Sequence, residues 1–178
     1  MSKVIEDLIS RAAQHRRQRQ LTEAARDWAQ AIELSRQQND IPDLIRALRG
    51  LAETERDSAR NSEAWAAYEE AVLLCRKQND PLLLAHTVRH LGDLRRHLER
   101  YEEAQSCYAE ALAIYRRESE AKPLDLANTL RPFAMLREKM GDVDEARTFW
   151  REARQLYGAL GIDAGVIEAS RALTRLGR

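Results

Sequence analysis

Residues 87 to 117 read TVRHLGDLRRHLERYEEAQSCYAEALAIYRR, and the second half of that stretch carries the pattern that decides the fold. Ala104, Tyr108 and Ala111 are spaced by four and three, which places them on one stripe of an α-helix. Small alanines let a neighbouring helix approach, and the aromatic ring fills the gap beside them. The same signature recurs as Ala24/Trp28/Ala31, Ala64/Tyr68/Ala71 and Ala146/Trp150/Ala153, within LTEAARDWAQAIEL from Leu21, NSEAWAAYEEAVLL from Asn61 and VDEARTFWREARQL from Val143. Successive copies are offset by 40, 40 and 42 residues. Self-similarity at such a period marks a repeat array.

A second set of segments precedes these at matching distances: ALRGLAE from Ala47, TVRHLGD from Thr87, TLRPFAM from Thr129 and, past the last full repeat, ASRALTR from Ala169. Each repeat is therefore a pair of helices. Pro42, Pro81 and Pro123 fall near the starts of first helices, and Asp80-Pro81 reads as an N-cap followed by proline at N1, where a missing N–H costs nothing. Asp142 with Glu145 reads as a capping box. The spacing predicts nine helices, over about 3–18, 22–37, 42–58, 62–78, 81–98, 102–118, 124–140, 143–158 and 163–176.

Composition narrows the function classes. The chain has 178 residues, 44% of them hydrophobic and 33% charged, with 29 basic and 29 acidic side chains. Zero net charge argues against a dedicated non-specific nucleic-acid binder or a polybasic membrane anchor. Seven glycines and four prolines leave no room for a glycine-rich phosphate loop or a long disordered segment. Cys75 and Cys107 lie far apart and outside any CxxC or Cys/His cluster, which disfavours a disulfide scaffold or a zinc ribbon. The opening MSKVIEDLISRAAQHRRQ lacks the apolar run of a signal peptide, and no 18-residue apolar stretch follows, so a cytoplasmic, unprocessed chain is expected.

Residues 87 to 117 resemble a tetratricopeptide repeat (TPR), with Leu91-Gly92 in the first helix and Tyr101, Ala104, Tyr108 and Ala111 in the second. The 40-to-42-residue period is similar to the extended repeats of kinesin light chains and of bacterial regulatory and adaptor proteins. The resemblance implies an all-α, right-handed superhelical solenoid of antiparallel helix pairs. The expected organisation is a single domain over 1–178, with repeats at about 3–40, 41–80, 81–121 and 122–161 and a capping helix at 162–178. Repeat 1 is degenerate, with Arg11 where Leu51, Leu91 and Phe133 sit and Ala12 where Gly92 sits. Such a protein is a non-enzymatic protein-protein interaction module, a scaffold or adaptor that offers an extended surface and no deep pocket.

In the family, the second, fifth, ninth and twelfth residues of each first helix line a concave groove. Carried onto this sequence, that selects Arg46, Arg49, Glu53 and Arg56, then His86, Arg89, Asp93 and Arg96. Asn128, Arg131, Met135 and Glu138 follow, and the last helix adds Glu168, Arg171 and Arg175. The fifth position is Arg in four successive helices: Arg49, Arg89, Arg131 and Arg171. Arginine holds carboxylate or phosphate bidentately, so the expected partner is a protein or peptide of acidic or phosphorylated character, met by Arg89 with Arg49 or Arg131. Against this stand i,i+4 pairs (Arg49 with Glu53, Arg89 with Asp93) and i,i+3 pairs (Glu53 with Arg56, Asp93 with Arg96), which would neutralise the ladder within each helix.

His86, His90, Asp93 and His97 share one helix face, but span about 16 Å and cannot close on one ion. His86 with His90 is the weak metal alternative, and Arg89 and Arg96 beside them repel a cation. No metal or cofactor is expected. Trp28, Tyr68, Tyr108 and Trp150 read as core and not as a base-stacking ladder, and Cys107 as a buried small hydrophobe. No nucleophile, base and orienting group assemble into a catalytic site. Two alternatives remain: a self-associating oligomeric scaffold or sensor, with Val166 and Ile167 buried at a symmetric contact, and a binder of phosphorylated or polyanionic ligands, RNA included.

Overall fold

A computed structural model describes residues 2–177, and these form nine α-helices and no strand among the described residues. They are α1 (Lys3–Arg17), α2 (Leu21–Gln37), α3 (Ile41–Asp57), α4 (Asn61–Gln78), α5 (Pro81–His97), α6 (Tyr101–Arg117), α7 (Pro123–Met140), α8 (Val143–Ala159) and α9 (Asp163–Leu176). Every boundary lies within one residue of the expected one. Helix α7 runs on through Pro132, which is buried.

The reversals between helices share one geometry. Residues Arg19, Asn39, Ala59, Asn79 and Glu99 are left-handed, spaced by twenty, followed by Gly141 and Gly161. After Arg19, Asn39, Ala59, Glu99, Gly141 and Gly161 the next amide bonds back to the helix: Gln20 to the His15 carbonyl, Asp40 to Ser35, Arg60 to Glu55, Arg100 to Arg95, Asp142 to Arg137 and Ile162 to Tyr157, each at 2.9 Å. This six-to-one bond satisfies an orphan carbonyl at the helix end and reverses the chain within about three residues. The connection after α6 lacks the left-handed residue; Glu118 is extended and α7 starts only at Pro123, which is where the period grows from 40 to 42.

The chain divides into two compact units, one ending at Asp80 and the other beginning at Pro81. In the first, Trp28 and Tyr68 are buried with Ile5, Ile9, Ile45 and Leu48. In the second, Tyr108, Phe133 and Phe149 form a run of tilted rings with centroids 5.6 and 4.7 Å apart, next to Trp150 and Tyr157. All eight signature alanines of the second helices are fully buried, as the stripe requires. Close approach is also built from the first-helix side. A Cβ on Gly50 would lie 2.4 Å from the Trp28 ring, one on Gly92 3.0 Å from Cys107 and Tyr108, and one on Gly165 2.4 Å from Tyr157.

The degenerate first repeat has a physical explanation. The positions equivalent to Phe133 and Phe149 hold Arg11 and Asp27, and the guanidinium grips the carboxylate with two bonds of 2.8 Å. His15 stands 3.0 Å from the same carboxylate, which is almost wholly buried, and the Arg11 bonds hold Asp27 below the usual carboxylate range. An ion pair thus replaces an aromatic pair on a helix with one side open to water.

Two expectations need correction. Asp142 occupies the N-cap position of α8 but makes no side-chain cap. Its carboxylate accepts from Arg137 Nη1 at 2.9 Å, and Glu145 lies 2.8 Å from Arg137 Nε. Arg137 is only 13% exposed and stacks over the Phe133 ring, so a nearly buried cation draws both acids, through charge-assisted bonds stronger than a neutral cap. Val166 is half-buried against the core of the second unit and is not a free surface residue, whereas Ile167 is 49% exposed.

Candidate binding face

The groove positions lie on α3 in the first unit and on α5, α7 and α9 in the second. On α3, Arg46 is exposed and 3.9 Å from Asp43. Glu53 has a partner outside its own helix. It accepts from Arg16 of α1, whose Nε also donates to Asp57 at 2.9 Å. Arg56 donates to Asp57 at 3.3 Å. Burial works against the Arg56 charge, and Tyr68, Asp57 and Glu53 outweigh it, so the guanidinium holds its proton more firmly than usual. Arg49 is half-buried.

On α5 the ladder turns inward. Arg89 is only 12% exposed, with Nη2 2.7 Å from His90 Nε2 and Nη1 3.5 Å from Asp93. Asp93 accepts from the Tyr108 hydroxyl at 2.8 Å. Burial would raise the Asp93 carboxyl, but His90, Arg89 and Tyr108 prevail and hold it below the ordinary value. Burial and the Asp93 charge push the Tyr108 phenol far up, and Arg96 bonds the same hydroxyl. Arg89 is thus a poor place for a guest to land. His86 and His90 meet edge to face with centroids 4.8 Å apart, and no group of three or more His, Cys, Asp or Glu among the described residues is placed to hold a metal ion.

On α7 and α9 the arginines are at the surface. Arg131 donates to Glu168 at 2.9 Å, both side chains being more than 40% exposed. Arg175 donates to Glu138 at 2.6 Å. Arg171, between them, is exposed and has no hydrogen bond or ion pair among the described residues. Glu168, Arg171 and Arg175 rim an open cleft of about 590 Å³ floored by Met135, Trp150, Ile167 and Ala172.

Two regularities escaped sequence reading. The long ion pairs join successive first helices at one separation, 37 residues, for Arg16–Glu53, Arg131–Glu168 and Glu138–Arg175. Second helices do likewise through Arg36–Glu70 at 2.7 Å and Arg116–Glu152 at 2.6 Å. Aromatic residues of the second helices also hold polar residues of the first: Tyr108 donates to Asp93, Trp150 to Glu138 at 2.5 Å and Tyr157 to Asn128 at 2.9 Å. In the first unit Trp28 donates to Thr54 at 3.1 Å. For the ion pairs the signal was present, since their partners lie 34 to 37 residues apart, close to the repeat period, but it is visible only when charge is aligned between repeats and not along each helix. Cys107 is buried, with Arg95 Nη1 3.2 Å from its Sγ, and burial pushes the thiol up. A raised thiol is a poor nucleophile.

No helix among the described residues is long and apolar enough to cross a membrane. No curated protein matches the sequence at a significant level. Solved structures share its fold at low identity. The apo form of RapI aligns with a TM-score of 0.82 at 16% identity, over 89% of this chain and 57% of that one, so the chain spans little more than half of RapI. BtubC (BKLC) from P. vanneervenii gives 0.76 at 18% identity, over 97% and 81%. A kinesin light chain from P. anserina, described as putative and having nearly identical TPR-like repeats, gives 0.73 at 15% identity, over 99% and 97%. The tetratricopeptide repeat pattern matches residues 82–159, the helix pairs that carry the strongest signature. Residues 82–159 thus match the tetratricopeptide repeat pattern, and the chain shares the all-α helix-pair fold of these solved structures.

Proposed function

We propose that the protein is a non-catalytic cytoplasmic adaptor that captures an acidic or phosphorylated protein segment through its first-helix faces. The observation that carries this reading is the arginine row on α7 and α9. Arg171 is exposed and uncommitted among the described residues, and Arg131 pairs with a carboxylate that is itself at the surface. Exposed pairs are worth about 0–1 kcal/mol, so a guest carboxylate or phosphate exchanges with Glu168 at little cost. The helix packing sets the arginine spacing in advance, which leaves most of the ordering cost with the guest. Arg46 offers the equivalent charge on α3. Arg89 serves differently from the role its position suggests: held by His90 and Asp93, it fixes the α5 surface.

The test is an array of synthetic peptides of acidic, phosphorylated, neutral and basic composition, probed with the labelled full chain. Retention is expected on the acidic and phosphorylated members, lost with Arg46→Glu/Arg131→Glu and kept with Arg36→Glu/Arg116→Glu on the second helices. Equal retention of basic peptides, or equal loss in both variants, overturns the reading.

A further inference from the structure

Among the described residues each unit holds an open cleft, and the chemistry of the two is complementary. The cleft on α9 has the apolar floor described above and a rim of Glu168, Arg171 and Arg175; Glu168 is bonded to Arg131 and Arg175 to Glu138, so the charge left to the rim is that of Arg171. The other, of about 540 Å³, lies between α1 and α2. Its floor is Leu8 and Leu34, its rim Asp7 and Glu33. Arg11 also reaches it, but both bonding faces of that guanidinium are spent on the buried Asp27, so the charge left to the rim is negative.

Each cleft also has a large, exposed apolar residue in its lining. Val4 is 58% exposed on α1 and Ile167 49% exposed on α9, the highest values for apolar residues on the first helices. Val4, Asp7, Leu8 and Arg11 fall on one helical stripe of α1, and Ala164, Ile167, Arg171 and Arg175 on one stripe of α9. Both helices thus present an anchor with charges one turn away, and the charges are opposite. Within each unit, successive first helices are already joined by arginine–carboxylate pairs, Arg16 with Glu53 in one and Arg131 with Glu168 in the other.

We propose that the occupant of the α9 cleft is α1 of a second copy of this chain, so that copies join first helix to last. Val4 seats against Trp150 and Met135, Ile167 against Leu8 and Leu34, and Arg171 meets Asp7 and Glu33. The contact uses different surfaces on its two sides. It is therefore not a two-fold dimer, and it adds copies beyond two unless the chain of copies closes into a ring. This goes beyond capture of a foreign acidic segment: both readings use Arg171, but Arg46 and Arg131, which the peptide test reads, take no part in the joint, so the failure of one is distinguishable from the failure of the other.

Sedimentation equilibrium on the purified full chain tests it. The weight-average mass is expected to pass twice the protomer mass as concentration rises, and to fall towards the protomer as salt is raised to roughly 0.5 M, where exposed charges are screened within about 4 Å. Val4→Arg/Asp7→Arg blocks one face and Ile167→Glu/Arg171→Glu the other. Each variant alone is expected to stay monomeric at matched helicity, while an equimolar mixture, which retains one intact cleft of each kind, forms a one-to-one dimer and stops there. If a double variant loses helicity, Asp7→Asn and Arg171→Gln give the same ordering at reduced strength. A wild type that stays monomeric at the highest soluble concentration, association that survives both variants, or a mixture that does not recombine overturns the proposal.

Discussion

Replacing Gly50 by alanine reverses the usual sign of that change. In a helix interior alanine is favoured over glycine by about 0.5–1 kcal/mol. At Gly50 the added carbon would sit 2.4, 2.5 and 2.6 Å from three carbons of the Trp28 indole. Ordinary contact needs about 3.5 Å or more, so the ring must retreat by about 1 Å. Trp28 is 4% exposed and its Nε1 reaches Thr54 at 3.1 Å, so retreat forces overpacking and stretches that bond beyond bonding range. Overpacking costs about 1–3 kcal/mol and a lost buried hydrogen bond about 1 kcal/mol. The net expectation is a loss of about 1–3 kcal/mol, lowering Tm by roughly 3–10 °C in a chain of this size. Gly158→Ala is the internal control. Its new carbon meets only Val166, at 3.9 Å, so the same chemical change should stabilise by a few tenths to about 1 kcal/mol. Urea unfolding followed by far-ultraviolet circular dichroism measures both. Trp28→Phe removes most of the clashing carbons, so its cost and that of Gly50→Ala should combine to less than their sum. A Gly50→Ala protein as stable as wild type, or strict additivity with Trp28→Phe, refutes the packing argument.

Three further outcomes follow from the geometry. Because Asp142 serves Arg137 and not the α8 amides, a double-mutant cycle of Asp142→Ala with Arg137→Met should show coupling of about 0.5 kcal/mol or more, whereas an independent N-cap would show none. Asp93 is held below its ordinary value of 3.8, so the stability it adds is complete above that value and is lost as pH falls through the depressed one. The advantage of wild type over Asp93→Asn should therefore shrink in acid unfolding curves below about pH 4, and a constant difference would count against the network. Ala59 carries a positive φ of 59° at the C-terminal end of α3, where a β-carbon is strained by about 1–2 kcal/mol. Ala59→Gly should gain up to about 1 kcal/mol in the same urea assay despite the greater freedom of the unfolded chain.

The helix pairs were legible in the sequence because their cause is local. Ala104, Tyr108 and Ala111 fall on one stripe whatever lies opposite, and repetition of that stripe at 40 residues requires stacked pairs. The first-helix positions were numbered from the family resemblance, and they fall on α3, α5, α7 and α9. What those residues do was decided by packing between helices. Arg89 and Arg131 hold equivalent positions in sequence, yet one is turned into a buried network by His90, Asp93 and Tyr108 and the other stays at the surface. The pairing of Glu53 along its own helix could be read from the sequence, but its bond from Arg16, 37 residues away, could not. Asp142 and Glu145 had the spacing of a capping box until Arg137, nearly buried, drew both carboxylates. The left-handed turns divide in the same way: Gly141 and Gly161 announce themselves, while Arg19, Ala59 and Glu99 take that shape only because the next helix must pack back on the last. Sequence by itself determined the period, the helices and the small-plus-aromatic core, since these rest on neighbours within two turns. Tertiary structure alone decided charge partners, burial of the ladder and the open clefts, since a side chain's field depends on which helix face is brought against it.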